Sequence, residues 1–336
     1  MEVTQMTPLV SVVICNYNYG RFLDEAIRSA LNQTYKRIEI IVVDDGSTDN
    51  SGEVLERQPS EVVILHTQRQ GQAGALWAGV KASRGDIICF LDSDDVWLPT
   101  KLEELVVVFS DHPDVAWVRH KLAVTDVALR VLGSYIPQFA GSGCIPDSPH
   151  LYLERTVTVS TSALSLRRAL AQDAFARLAV LLGTHGEESS FGGMLLHADA
   201  CLLTLIGTSR VKGFSLDRPL GYYRRHAGQQ FCGPEGVVPM LHQQIEVGRM
   251  ISQIWSAAMG NPAIGSHVYK HLLVVDALRA HSMWSASRLK VLLDGLKATT
   301  KFRNVKLGLR QAGAILFAYI APRTWTRRLL ARQGYL

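Results

Sequence analysis

The run Ile87-Ile-Cys-Phe-Leu91, followed at once by Asp92-Ser-Asp-Asp95, constrains this chain more than any other stretch. A short apolar run bounded by polar residues reads as a strand buried on both faces, which is the habit of parallel sheets. Side chains alternate along a strand, so the pattern predicts Asp92 and Asp94 on one side and Ser93 on the other. Carboxylates at that spacing repel one another and need a cation. A hard divalent ion, Mg²⁺ or Mn²⁺, is the natural partner, because it prefers oxygen, keeps waters and takes phosphate oxygens as further ligands. The expectation is a metal–diphosphate site at the carboxyl end of a strand, where open α/β sheets bind ligands. An Asp here can also cap the helix expected to start near Leu98, which accounts for one of the three acids and not for all.

The residues around this stretch alternate in the same manner. Leu9–Ile14 and Ile38–Val43 read as β-branched strands, and Val62–Leu65 as a third. Between them, Leu23, Ala26, Ile27, Ala30 and Leu31 fall on one helical face, with Asp24 and Glu25 expected in its first turn. A short helix is predicted from Ser51 to Arg57, and another opens within Gln68–Gly79 before the strand that begins at Asp86. Strands and helices alternating at this spacing imply right-handed βαβ units and a mostly parallel sheet. Val115–Val118 is a further strand, Leu122–Val131 a strand or hairpin at a sheet edge, Thr158–Leu164 another β-like piece and Arg167–Leu182 a helix. Residues 133–150, rich in Gly, Pro and Ser, read as a long loop suited to acceptor recognition.

Four motifs occur in order with fitting gaps: Val10-Ser-Val-Val-Ile-Cys-Asn-Tyr-Asn18, Val42-Val-Asp-Asp-Gly-Ser-Thr-Asp49, Gln70-Gly-Gln-Ala-Gly-Ala75 and Phe90-Leu-Asp-Ser-Asp-Asp95. Together they resemble the family 2 glycosyltransferases of the GT-A fold, densely over residues 8–115. Ser162-Ala-Leu-Ser-Leu-Arg-Arg168, His197-Ala-Asp-Ala-Cys201 and Pro219-Leu-Gly-Tyr-Tyr-Arg-Arg-His226 extend the likeness to about residue 230. The resemblance implies a Rossmann-like α/β domain with helices on both faces of the sheet. Residues 1–115 would be its nucleotide-sugar half and 116–234 its acceptor-binding and catalytic half, with a helical extension over 235–336. It further implies transfer of a sugar, with inversion, from a UDP-sugar or a dTDP-sugar to a glycan- or polyprenyl-linked hydroxyl in polysaccharide biosynthesis, with Mn²⁺ or Mg²⁺ as cofactor.

The site residues follow by the same resemblance. Tyr17 would pack on the nucleobase, and Asp45 would accept the N3–H of a uracil or thymine while Asp44 and Gly46 form the turn. Gly71, at a helix opening, would approach an anion with its free N–H. Asp92 and Ser93 would lie near the nucleotide, and Asp94 would be the firmer metal ligand beside Asp92. His226 would complete the metal–diphosphate site, with Arg224 or Arg225 pairing with the diphosphate. Asp199 would be the general base that deprotonates the acceptor, with Glu187 or Glu188 as the other candidates. The family often carries an Arg-Asn pair where this chain has Leu76-Trp77, so the chain departs from the family pattern in this helix.

Other classes fit less well. A nucleotidyltransferase would be expected to carry a Gly-rich basic loop for a triphosphate, and Cys15–Arg21 does not resemble one. A non-catalytic nucleotide-sugar binder would not need the acids and base just named. The five cysteines are scattered, with no Cys-x-x-Cys pair, which argues for a reducing compartment and against a zinc ribbon. No secretory signal opens residues 1–8 and no apolar run approaches the roughly 18 residues of a membrane span, so a cytoplasmic location is expected. Of the net charge of +5, residues 301–336 contribute eight positive charges and no acid, leaving residues 1–300 mildly acidic, which disfavours a nucleic-acid surface. That tail suits a peripheral helix on an anionic membrane face, and equally a helical cap with a solvated basic side.

Overall fold

The computed structural model of the 336-residue chain describes residues 7–147, 160–181 and 198–226, together with residues 251, 253–258 and 260. Glu187, Glu188, His197 and the tail 301–336 lie outside the described residues. By compactness the chain divides into two units, Met1–Arg225 and His226–Leu336. In the second unit, residues 253–258 are helical, and Ile251, Ile254 and Trp255 are buried.

The first unit is built on one sheet. Its strands are β1 (Val10–Asn16), β2 (Ile38–Asp44), β3 (Val62–His66), β4 (Ile87–Asp92), β5 (Val96–Trp97), β6 (Val115–Thr125), β7 (Val131–Ile136), β8 (Gly143–Ile145), β9 (Leu164–Arg167) and β10 (Lys212–Arg224). Their order is β3-β2-β1-β4-β9-β6-β10-β5, with β7 on β6 and β8 on β10. β3, β2, β1 and β4 run parallel, as do β6 and β10, while β9 is antiparallel to both β4 and β6. The long strands thus point the same way, and their carboxyl ends share one edge of the sheet.

The apolar strands are buried on both faces, as their composition requires. On one face Val12, Ile14, Val42, Cys89 and Leu91 pack against α1 (Gly20–Leu31), α2 (Ser51–Glu56) and α4 (Lys101–Asp111). On the other, α3 (Gly71–Ala82) lies so close that a Cβ on Gly79 would meet Val13 Cγ1 at 2.3 Å. Phe175 of α5 (Arg168–Leu181) packs edge-on to Phe90 there, and α6 (Ala198–Thr208) follows in the chain.

The structure departs from the sequence expectation in several local respects: β5 and β10 were not anticipated, and Thr161–Ala163, within a piece read as β-like, is a 3₁₀ turn. α1 begins at Gly20, so Asp24 and Glu25 fall beyond its first turn. The described part of the expected loop, residues 133–147, is not a plain loop, because β7 extends a hairpin from β6 and β8 pairs with β10.

Two consequences can be measured. In β10, a Cβ on Gly213 would lie 2.2 Å from Cε2 of the fully buried Trp117. Gly213→Ala should cost about 1–3 kcal/mol by overpacking and lower Tm by roughly 3–10 °C in a thermal melt. His120 is buried, and burial first, then the Lys101 charge, push its pKa well below the usual value. It folds neutral, whereas the unfolded chain takes up a proton below about pH 6.5. Stability is therefore full above that pH and falls as pH drops toward the folded value, by up to ~1.4 kcal/mol per pH unit. Denaturant melts of His120→Gln should show this acid loss reduced relative to the native protein.

Candidate active site

Three neighbouring strands deliver the polar residues to one place. Cys15 pairs in register with Asp92, and Asn16 with Asp44, so the ends of β1, β2 and β4 are level. The loops beyond are knitted together. The Asn16 amide donates to Asp44 Oδ1 (2.8 Å), Ser47 Oγ (3.1 Å) and Ser51 Oγ (2.9 Å). Asn18, at a left-handed φ of 58°, accepts the Thr48 N–H at 2.7 Å. Asp44 accepts from the Ser47 hydroxyl and amide, so it secures the turn, and Gly46 supplies the φ of 75° that the turn needs. Tyr17 lies half-buried in this loop region, with the Arg69 guanidinium 4.8 Å from its ring centroid.

Asp45 is buried and heavily engaged. Oδ1 accepts from the Thr67 hydroxyl (2.6 Å) and the Gln70 N–H (2.7 Å), and Oδ2 accepts from the Gly71 N–H (2.7 Å). A carboxylate offers about four acceptor directions, so about one remains for an outside donor such as a nucleobase N–H. The same contacts revise the expectation for Gly71. Its N–H does not await an external anion, because Asp45 already supplies the negative charge that the start of α3 favours. Leu76 is fully buried and Trp77 stacks on Phe175 at 5.9 Å, so neither takes the place of a polar base contact.

The acidic segment is a turn and not a continued strand. β4 ends at Asp92, and the Asp95 N–H returns to the Asp92 carbonyl at 3.0 Å. Pleat alternation therefore extends only as far as Asp92, and turn geometry sets the direction of Asp94. Asp92 is half-buried, with Oδ1 receiving the Gln72 amide at 2.9 Å and the Cys15 thiol at 3.7 Å. The Ser162 hydroxyl lies 3.4 Å from Oδ2 and accepts the Asp92 N–H at 3.0 Å. Ser93 and Asp94 are buried in the turn. Burial, and then the fields of Asp94 and Asp92, push the Asp95 carboxyl well above its ordinary range, while Ser162 and the Arg224 N–H pull it back. Burial, with Asp92 and Asp94 beside it, also pushes the Cys15 thiol up, so it stays protonated and is no nucleophile.

Arg224 stands elsewhere than expected. It is 3% exposed, and its backbone N–H donates to Asp95 Oδ1 at 3.0 Å. Its guanidinium donates to the Asp94 carbonyl (2.9 Å), the Val127 carbonyl (2.6 Å) and Glu25 Oε2 (2.5 Å), and it lies over the Phe22 ring. A fork occupied in this way is a strut for the acidic turn and not a diphosphate ligand. Arg225 is exposed, with its N–H bonded to the Thr125 carbonyl. His226 is buried at the start of the second unit. Asp199 lies at the beginning of α6.

Among the described residues, no group of three or more His, Cys, Asp or Glu side chains forms a ready-made metal cage. The acidic turn offers two neighbouring carboxylates, Asp92 and Asp94. That donor set fits a hard cation that completes its shell with water and phosphate oxygens. The sequence reading missed Gln72, Cys15 and Ser162 as contacts of Asp92. Each lay inside a motif, Cys15 in Val10–Asn18, Gln72 in Gln70–Ala75 and Ser162 in Ser162–Arg168, but motif membership does not show the contact.

Paired carboxylates at the carboxyl ends of parallel strands stand where open α/β sheets bind their ligands. Residues 11–167 match the model of Glycosyl transferase family 2, and this part of the chain is a family 2 glycosyltransferase domain. An uncharacterized glycosyltransferase of Nostoc is 48% identical over 166 residues, 44% of this chain and 51% of that protein. The Escherichia coli protein WfaP, named a UDP-Glc:alpha-D-GlcNAc-diphosphoundecaprenol beta-1,3-glucosyltransferase, is 40% identical over 100 residues, 29% of this chain and 40% of its own. The chain thus spans about half or less of the curated relatives it matches. Among solved structures, S. aureus TarS 1-349 in complex with UDP-GlcNAc superposes with a TM-score of 0.62 at 17% identity, covering 97% of this chain and 92% of that one. That likeness gives the GT-A-like fold.

Arg224→Lys replaces a fork of donors by one ammonium and leaves buried carbonyls unpaired. It should cost about 2–3 kcal/mol, read as a lower denaturation midpoint with an unchanged m-value.

Proposed function

We propose that the protein is a metal-assisted, inverting glycosyltransferase that uses a UDP-sugar, with a dTDP-sugar as the other donor, and a glycan- or polyprenyl-linked acceptor. The observation that supports this most is the meeting of Tyr17, Asp45 and the Asp92–Asp95 turn at the level ends of β1, β2 and β4, within a family 2 domain. The relatives lend support: one is named for a UDP-Glc donor and a diphosphoundecaprenol-linked acceptor, and one solved structure of like fold is a UDP-GlcNAc complex.

In this reading the π-face of Tyr17 takes the pyrimidine, and the remaining acceptor direction of Asp45 takes its N3–H. Asp92 and Asp94 would hold Mn²⁺ or Mg²⁺. Such an ion, when bound, stabilises the charge that develops on the departing diphosphate. Gln72 and Ser162 keep Asp92 turned toward the donor through contacts to its two oxygens. Asp199 takes the proton of the acceptor hydroxyl as that oxygen attacks the anomeric carbon from the face opposite the leaving group. General-base catalysis of this kind contributes about 10²–10⁴ in rate. The basic tail, residues 301–336, brings the protein to the cytoplasmic membrane face where a polyprenyl-linked acceptor resides.

The test pairs activity with binding. With a UDP-sugar, Mn²⁺ and a polyprenyl-diphosphate-linked acceptor, the protein should release UDP and extend the acceptor. Asp199→Asn should reduce turnover by about 10²-fold or more while UDP affinity is retained. Turnover by that variant at the native rate would take the base role from Asp199, and no transfer from any nucleotide-sugar by the native protein would refute the reading as a whole.

A further inference from the structure

Behind the acidic turn lies a charge that the catalytic reading does not use. Lys101, at the first position of α4, is 0% exposed. Its ammonium donates to the Ser162 carbonyl at 3.1 Å and sits 3.0 Å from the centroid of the Trp97 ring. Trp97 Nε1–H donates to the same carbonyl at 2.9 Å. Burial pushes the Lys101 pKa well below the usual value, with the Cys89 and Asp95 fields acting against that. An ammonium placed this way is expensive, and a methionine would fill similar volume without the desolvation cost. Packing alone therefore does not account for it.

What it touches does. Ser162 is fully buried, and it is the residue that meets Asp92 at both its N–H (3.0 Å) and its carboxylate (3.4 Å). The carbonyl of Ser162 faces the lysine while its hydroxyl faces the acidic turn. Lys101 thus reaches Asp92 through one intervening residue, and its charge also lies in the field of Asp95. Ser162 sits in the 3₁₀ turn Thr161–Ala163 that leads directly into β9, the strand inserted antiparallel between β4 and β6. A rigid carbonyl anchor there fixes the hydroxyl relative to the end of β4.

We propose that Lys101 and Ser162 are positioning residues for the donor site: the buried Lys101 amino group anchors the Ser162 carbonyl, and the Ser162 hydroxyl sets the orientation of Asp92. The proposal rests on the reading of the Asp92–Asp95 turn as the site of a nucleoside diphosphate. Groups that orient a metal-binding carboxylate from behind typically change metal affinity by 10–100-fold when removed.

The test uses the full-length native protein, Lys101→Met, Ser162→Ala and the double variant. Three quantities are read on each: Tm, amide hydrogen exchange at Asp92 and Asp95, and calorimetric affinity for UDP with Mn²⁺. Lys101→Met should stay folded with Tm near native, because methionine fills similar volume. Exchange at the Asp92–Asp95 turn should nevertheless quicken about 10-fold and Mn²⁺-dependent UDP affinity should fall about 10-fold. Ser162→Ala should do the same, and the double variant should be little worse than either, since the two act in series. The proposal is overturned if both single variants leave turn exchange and affinity within about two-fold of native, or if exchange quickens equally across the whole sheet. If Lys101→Met does not fold, Ser162→Ala decides. Should the native protein bind no UDP with Mn²⁺, the donor reading fails by itself, and the exchange measurement still judges the brace.

Discussion

Three carboxylates crowded into the single turn at the end of β4 set the problem that the surrounding structure solves. Two like charges a few ångström apart cost several kcal/mol at the dielectric of a protein's near-surface interior, and burial adds to that. The rise of the Asp95 carboxyl above its ordinary range is the local sign of this strain. Relief comes from far along the chain. Gln72 and Cys15 contact one oxygen of Asp92, Ser162 the other, and Arg224 the backbone and side chain of the residues that follow. A chain that maintained such a turn with no ligand to receive would be poorly served by it. These contacts hold the acids in place, and on the proposed reading a bridging cation and a diphosphate would be received there.

The sheet makes this possible by bringing strand ends level. β1, β2 and β4 are parallel neighbours, so their polar termini emerge together, and the loops above β1 and β2 bond to each other. β9, entering antiparallel, carries Ser162 to the same edge, and β10 returns Arg224 there nearly 200 residues after Glu25 of α1, with which it pairs. Glu25 is half exposed, so that ion pair is screened and its own contribution is modest. The buried bonds from Arg224 to two main-chain carbonyls do more to hold the turn.

Much of this was legible in the sequence, and the boundary of legibility is physical. Strands β1 to β4 are apolar, β-branched runs and α1 has a periodic apolar face, and their expected positions, with those of α3 and α5, agree with the structure to within a few residues. The motifs also marked Asp44 as the turn residue. The short strands β7 and β8 were hidden in Gly-, Pro- and Ser-rich sequence because they exist only by pairing with β6 and β10. Arg224 looked like a phosphate ligand because an arginine after two tyrosines says nothing about the carbonyls it will meet 97 and 130 residues away. Gly71 looked like an anion site because the acid that caps it, Asp45, lies 26 residues earlier on another loop. Lys101 carried no local sign of burial at all, since a lysine opening a helix is ordinarily solvated.

The account stands or falls on whether the acidic turn receives a nucleoside diphosphate through a divalent cation. Calorimetric titration of UDP into the native protein and into Asp94→Asn, each with and without Mn²⁺, addresses this most directly. The account predicts tight binding only by the native protein with Mn²⁺ present, and at least a tenfold loss, about 1.4 kcal/mol, when either the ion or the carboxylate is removed. Equal UDP affinity in all four titrations would contradict it.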